Sequence, residues 1–567
     1  MVRKKMLALS LAAAMTAGLL GGCGQSTGTD TKVSESTAKS SESAVKEETT
    51  STVKDQSEDS GEDEAYSWPL VDEPITLRVF THESDYITDP ETHTLIQWYE
   101  EQTGVHIEWV FSSDKATDIN LMVASGDTVD IWLTTLDTNQ VMTLVEAGMI
   151  TSLNDLIDEY GYYTKQAFEN YPFLEEAVTT ADGNIYTMFE TDCGVHMPNR
   201  RKMYVKADWL AAYREAVGNE NAPETVEDFE EMLVYFRDND MNGNGLKDEI
   251  PLIGSNSDED DPIYYLMSAF QQISNSYYHI DENGEIVFEA NTEEWKKCLE
   301  WMNHLYEEGL FLAEDTYVQD RDTLKAMVNV TDPSKFVVGA VQSFWQGRFV
   351  DASILDYTDY EPIVPIAGED GVRRATITTE FSVVLCSAIS TTCEYPEVAM
   401  KWLDWWVSEE GTKIGAWGPE EGVDYEVVNA PSVNGAETSV RLLKTENQTF
   451  GSNKIPYLDT PEVKYANTLD LDTIGKSAVY ALYTGGNMYE PYYVSSNVPV
   501  INWVDDIDLQ ADVSEYATII NSIVKNAYTE FILGIRDIDA DWDAYLAELE
   551  SAGLEYYLEC LSRYYSK

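Results

Sequence analysis

The sequence predicts an α/β protein of more than one domain, and three observations predict it. From Pro74 onward, apolar strand-like runs alternate with helix-like runs over short connections, the pattern of a mostly parallel sheet covered by helices. About 500 residues follow Trp68, more than a single hydrophobic core sustains. Beyond the first two dozen residues no apolar stretch is long enough to cross a bilayer. The first strand is read over 75–80 and is followed by a polar loop, 81–89, and a helix, 90–102, that stops at Gly104. A second strand over 105–110 leads to a helix over 118–127 and a third strand over 129–133. Further helices are expected over 142–148 and 150–160, the latter with Ser152 as its cap.

The N-terminus points to export. Arg3, Lys4 and Lys5 precede the uncharged, Ala/Leu-rich stretch 6–20, which suits a signal-peptide h-region and is short for a spanning helix. Leu20, Gly21 and Gly22 then lead into Cys23. Small residues before a lone cysteine resemble the lipobox of bacterial lipoproteins. That resemblance implies cleavage after residue 22 and a diacylated, palmitate-bearing Cys23 on the outer face of the cell membrane. Two acyl chains suffice for stable attachment. Residues 23–67 read as a tether: 24–66 hold eleven acids, four lysines and hardly a large apolar side chain, too little to offset ordering entropy.

A formal charge of −66, from 102 acids against 36 bases, excludes a nucleic-acid partner, because phosphate backbones are gripped by Lys and Arg. With Cys23 set aside, Cys193, Cys298, Cys386, Cys393 and Cys560 remain, with no CxxC pair and no zinc spacing. One disulfide is compatible with them but unassigned. The six histidines are scattered, and HExxH is absent.

Longer segments carry a specific likeness. "EEQTGVHIEWV", "INLMVASGDTVDIW", "VEAGMITSLNDLIDEYG", "RKMYVKADWLAAY", "PETVEDFEEMLVYFRDND" and "STTCEYPEVAMKWLDWWVSEEG", with "EGVDYEVV" and the C-terminal "TEFILGIRD" and "WDAYLAELESAGLEYYLECLSRYY", resemble extracellular solute-binding proteins of family 1 in that order. More narrowly, they resemble its LplA-like and alginate-binding lipoprotein subgroup. The resemblance implies a two-lobed periplasmic-binding-protein fold of type II, hinged, with several chain crossings. Lobe one is expected at 74–182 and 336–387, lobe two at 183–335 and 388–567. It also implies a monomer that captures a carbohydrate, an oligosaccharide by subgroup analogy, and delivers it to the permease subunits of an ABC importer.

The sharpest local motif runs from Asp238 to Glu249. Oxygen side chains at alternate positions of a glycine-broken turn point inward together, which is how a cage for a hard cation is assembled. The EF-hand spacing fits with Asp238 first, Gly243 sixth and Glu249 twelfth. The family resemblance favours a second register, in which Asp240, Asn242, Asn244, the Leu246 carbonyl, Asp248 and Glu249 hold a structural Ca2+. A plain polar turn is the alternative.

Sugar binding asks for aromatic platforms and for amides and carboxylates that meet hydroxyls, and 14 Trp and 35 Tyr permit it. Position selects Glu83 in the loop after the first strand and Trp132 in the third, near the carboxyl edge where α/β sheets present ligands. It also selects Trp345 after a later strand, Glu380 ahead of another, and Trp417 before the Glu-Gly-Val-Asp-Tyr run. A carbohydrate-active hydrolase using two carboxylates and a surface adhesin are the rivals. No nucleophile elbow, metalloprotease helix or phosphate-cradling loop supports the first, and no repeats support the second, so a non-enzymatic binding protein is the expected function.

Overall fold

The computed structural model describes residues 66–82, 92–376, 382–444, 455–499, 501–504 and 506–566. The signal peptide, Cys23 and nearly all of the tether lie outside them, as do Glu83 and Glu380. The strands, in chain order, are β1 Ile75–His82, β2 Val105–Ser112, β3 Ile131–Leu136, β4 Met188–Asp192, β5 Lys202–Lys206, β6 Ile250–Ile253, β7 Tyr278–Ile280, β8 Ile286–Phe288, β9 Val338–Ser343, β10 Tyr360–Ile363, β11 Ser382–Ile389, β12 Tyr425–Val428, β13 Ser439–Leu442 and β14 Tyr457–Asp459. A six-stranded sheet has the order β14-β4-β11-β3-β1-β2, and a four-stranded sheet the order β10-β5-β9-β6.

The opening elements form for the reasons the sequence offers. In β1, Leu77 and Val79 bury completely while β2 pairs alongside in parallel, Leu77 opposite Ile107. The helix Thr94–Thr103 ends where Gly104 takes φ 72°, a left-handed conformation that costs a Cβ-bearing residue energy. The next helix, Lys115–Ser125, starts three residues earlier than its apolar pattern suggests, because the Asp114 side chain accepts from the Thr117 N–H and caps it. Ser152 is not the N-cap of Asn154–Tyr160, a position Leu153 holds without a side-chain bond; its hydroxyl accepts a long 3.4 Å bond from the Asn154 N–H and donates to Asn154 Oδ1.

Each sheet has its own core. Around the first are Leu77, Val79, Ile131, Leu133, Leu385 and Ile389, joined by Trp402, Trp405 and Trp406. Around the second are Met203, Val205, Trp209, Phe236, Leu252 and Ala340, closed over by Val524, Phe531, Leu549 and Leu561 of the C-terminal helices.

The expected lobe boundaries need correction. Val338–Ser343 does not return to lobe one: β9 lies between β5 and β6 in the second sheet. Its neighbours fix it there, since a Cβ on Gly339 would stand 2.8 Å from the Pro251 carbonyl and 2.9 Å from Phe236. Lobe one also runs past Asp182 to include β4, and its return begins at β11, which pairs with both β3 and β4. It then keeps the helix Pro396–Asp404 and β14, both placed in lobe two by the sequence. An apolar run of four residues reads the same in either sheet, so periodicity could not choose. Helices Ile507–Ile532, Ile538–Ser551 and Leu554–Tyr564 do cover the second core. Cys193, Cys298, Cys386, Cys393 and Cys560 are all free thiols.

Candidate functional site

Strand direction brings two carboxyl edges together. β3 runs parallel to β1, and β11 runs antiparallel to β3 and β4; with β14 parallel to β4, β1, β3, β4 and β14 all end on one edge. In the second sheet β6 is parallel to β9, while β5 opposes β9 and β10, so β6, β9 and β10 end on the edge where β5 begins. Residues 193–201 join the end of β4 to the start of β5, and 364–381 join the end of β10 to the start of β11. Both links therefore tie one carboxyl edge to the other, the place where open α/β sheets receive ligands.

On the lobe-one side the link opens in a carboxylate cluster. Lys464 Nζ lies 2.5 Å from Asp192 Oδ2 and 2.8 Å from Asp459 Oδ2. Burial opposes the charge on Asp192, but Lys464 beside it holds its pKa below the ordinary value. Burial pushes Asp459 up. Burial, then the nearby Asp192, raises Glu190 to about 8. His196 Nδ1 meets the Tyr465 hydroxyl at 2.9 Å, and burial lowers its pKa to about 3 despite Asp192, so the ring is neutral.

On the lobe-two side three cations follow one another. The Arg200 guanidinium lies 5.6 Å from the centre of the Phe344 ring and Arg201 5.0 Å from that of Tyr264. Lys202 Nζ donates to the carbonyls of Phe344 and Asn199. Burial, with Arg201 and Arg200 beside it, lowers Lys202 to about 7. Asn199 Oδ1 and the Arg201 Nε and Nη1 are buried without a hydrogen-bond partner. The sequence reading passed over these residues, although Arg-Arg-Lys in so acidic a chain is a signal that could have found them.

The residues it did single out are scattered. Trp345 follows β9, is half-buried, and packs 5.2 Å from Tyr357. Its indole lies where a Cβ on Gly347 would have to go, so only glycine permits that pose. Trp417 ends the helix Glu409–Trp417, half-buried 5.7 Å from Tyr425. Trp132 is the exception. It is fully buried, packed against Phe80, with its indole N–H donating to Ser390, so it is a core residue with no face to offer a solute. The cause is that β3 is covered on both faces, so lying near a carboxyl edge did not mean facing outward.

In the loop after the helix Val226–Asp238, Asp238 pairs with Arg237 at 3.0 Å, which turns the first ligand of the EF-hand register away. Asp240 instead accepts from the N–H groups of Asn244 and Gly245, and Asn244 Oδ1 from Leu246. Gly243 and Gly245 are left-handed at φ 71° and 80°. Asn242 and Asn244 both reach Asp248. Glu249 Oε1 accepts from Met241, while its Oε2 is buried with no partner. Among the described residues no three His, Cys, Asp or Glu side chains gather closely enough to hold a metal by themselves.

Residues 94–417 match the bacterial extracellular solute-binding proteins. The chain belongs to that family. It is 26% identical over 528 residues to the fructooligosaccharide ABC transporter substrate-binding protein FusA of Streptococcus pneumoniae, covering 89% of this chain and 92% of that protein. It is 23% identical to the lipoprotein LipO of Bacillus subtilis over 80% of this chain and 86% of the other. The solved structure of a FusA EF-hand mutant in complex with fructo-nystose superposes with a TM-score of 0.67 at 23% identity, over 87% of this chain and 99% of that one. The solute-binding protein therefore has the two-lobed α/β fold that the sequence implied.

Proposed function

We propose that this solute-binding protein captures a carbohydrate between its two carboxyl edges and hands it to an ABC importer without chemically altering it. The observation that carries the reading is the chain connection between those edges: 193–201 leads from the end of β4 to the start of β5, and 364–381 from the end of β10 to the start of β11. FusA, similar over nine-tenths of both chains, is a fructooligosaccharide binder. Trp345 and Trp417 serve as aromatic platforms in this reading, with Glu83 and Glu380 meeting hydroxyls. Calorimetry of the purified protein against neutral and acidic oligosaccharides tests it: stoichiometric binding with the sugar recovered intact is expected. Product formation would make the protein a hydrolase, and no binding to any saccharide would end the reading. The protein acts as a monomer, held on the outer face of the membrane by acyl chains on Cys23. Cys23→Ala is expected to move it to the soluble fraction.

The loop at Asp240 holds a structural calcium ion in the second register. The pairing of Asp238 with Arg237 supports that choice, and the partnerless Glu249 Oε2 supports a cation in the loop in either register. Asp240, Asn242, Asn244, Asp248, Glu249 and the Leu246 carbonyl are the oxygens available, a donor set suited to a hard cation. Binding only to the folded loop, calcium would stabilise by RT ln(1 + [L]/Kd), about 2.7 kcal/mol at a hundredfold excess. Chelation should lower the melting temperature and Glu249→Ala should remove that response. A melt indifferent to chelator would return the loop to a polar turn.

A further inference from the structure

Every described arginine other than Arg200 and Arg201 has a carboxylate within ion-pair distance: Arg78, Arg214, Arg237, Arg321, Arg348, Arg373, Arg374, Arg441, Arg536 and Arg563. In a chain of 102 acids and 36 bases, acidic partners are abundant, so two adjacent arginines without one are an anomaly of placement. Arg201 is the sharper case. It is only 4% exposed, and a buried guanidinium without a counter-charge is costly. Its Nη2 donates to Asn275 Oδ1 at 3.0 Å and its plane lies over Tyr264, which leaves Nε and Nη1 unpartnered.

Glu259 and Asp258, the acids whose charge bears on Arg201, are already engaged, as is Asp260 beside them in the sequence. Asp258 binds Lys525, Glu259 binds Arg348, and Asp260 holds Arg321 and accepts from Ser343. Lys202, next in the chain, has only carbonyls as hydrogen-bond partners and lies 5.3 Å from the centre of the Phe344 ring. Three consecutive cations thus stand where the two carboxyl edges are joined, with hydrogen-bond donors to spare and no carboxylate among the described residues within ion-pair distance.

From this placement we infer that Arg201 is a specificity-determining residue that receives a carboxylate of the solute, so that the bound carbohydrate is an acidic one carrying uronic-acid residues. The anion the protein withholds is supplied by the ligand, whose charge then meets Arg201 with Arg200 and Lys202 adding to the field. Hydrogen bonds between charged groups in a water-poor site are the strong ones, and a neutral sugar cannot make them. Tyr264 and Asn275 hold the guanidinium in one orientation, which lowers the ordering cost of binding.

The inference rests on the carbohydrate reading, and one experiment separates the two. Oligogalacturonates and oligoglucuronates are titrated by calorimetry beside their carboxyl-reduced, neutral counterparts, with fructooligosaccharides as an additional neutral set. The acidic member of a pair should bind about 10- to 100-fold more tightly, the scale of a hydrogen bond to a charged group. Arg201→Met should abolish that ratio and Arg201→Lys should keep part of it. Asn275→Asp, which gives Arg201 an internal carboxylate, should abolish it with the arginine in place, so the conclusion does not depend on one variant folding. Equal or tighter binding of the neutral member overturns the inference and leaves the carbohydrate reading intact. A ratio unchanged in both Arg201→Met and Asn275→Asp overturns it as well. Failure of every saccharide, acidic and neutral, would end both.

Discussion

Where β4 ends, three carboxyl groups, Glu190, Asp192 and Asp459, share the single cation Lys464; across a nine-residue link, where β5 begins, three cations share no carboxylate among the described residues. Both clusters stand partly or fully buried where the edges are joined, yet the surplus is resolved differently. The acidic side settles within the protein: Lys464 takes two carboxylates and Glu190 keeps its proton. The basic side cannot follow suit, because a guanidinium does not give up its proton near neutral pH. An excess of carboxylates can be titrated away, whereas an excess of arginines must be met by an anion from outside. The acidic cluster therefore reads as structural and the basic one as receptive.

Removing the shared cation should show the largest effect. Lys464→Met leaves Asp192 and Asp459 buried with no counter-charge, and breaking such a network typically costs about 3–5 kcal/mol. Urea unfolding measures it, and a loss under about 1 kcal/mol would mean the carboxylates are not held by this lysine.

Next comes pH. Glu190 titrates at about 8 in the fold against 4.5 ordinarily, so between those values the native state holds a proton that the unfolded chain has shed. Stability should then fall as pH rises, by up to about 1.4 kcal/mol per pH unit. Glu190→Gln should flatten that slope between pH 5 and 8, gaining most over the wild type at the alkaline end. Parallel curves for the two proteins would place the titration elsewhere.

The smallest effect is expected across the junction. Arg201→Met removes a buried charge that has no ion-pair partner, so ligand-free stability should change by less than about 1 kcal/mol, the lost contact with Tyr264 offsetting the relieved desolvation. A loss as large as that of Lys464→Met would make the two clusters alike and cancel the distinction between them.

The strands β1 to β3 were legible because each is an apolar run punctuated by a local stop, Gly104 or Gly126, whose left-handed turn needs only its own few residues. The family and its fold were legible in collinear segments. Sheet membership was not, since Val338–Ser343 is as apolar as any buried strand and only distant Pro251 and Phe236 decide which sheet admits it. The junction was hidden for the same reason. Lys464 and Asp192 lie 272 positions apart, and nothing near either one announces the other. Trp132 was misread because a strand's place in a sheet does not say which way one of its side chains points. In the loop after the helix Val226–Asp238 the alternating oxygens were plain, but that Arg237 takes Asp238 was not.

The strand order of the first sheet also has a consequence for how the chain acquires its shape. β11 lies between β3 and β4, although 189 residues separate it from the end of β4 (192 to 382), and β14 arrives later still at the far edge. A polypeptide made only as far as Asp192 would hold β3 and β4 with the place between them empty. The whole second sheet must be made before that gap can be filled. Contacts this distant in sequence form slowly, because a long loop must close before any of them can reward it. The first lobe to be synthesised therefore cannot finish folding until β14 exists, and the second, which waits for helices over 507–564, closes later still.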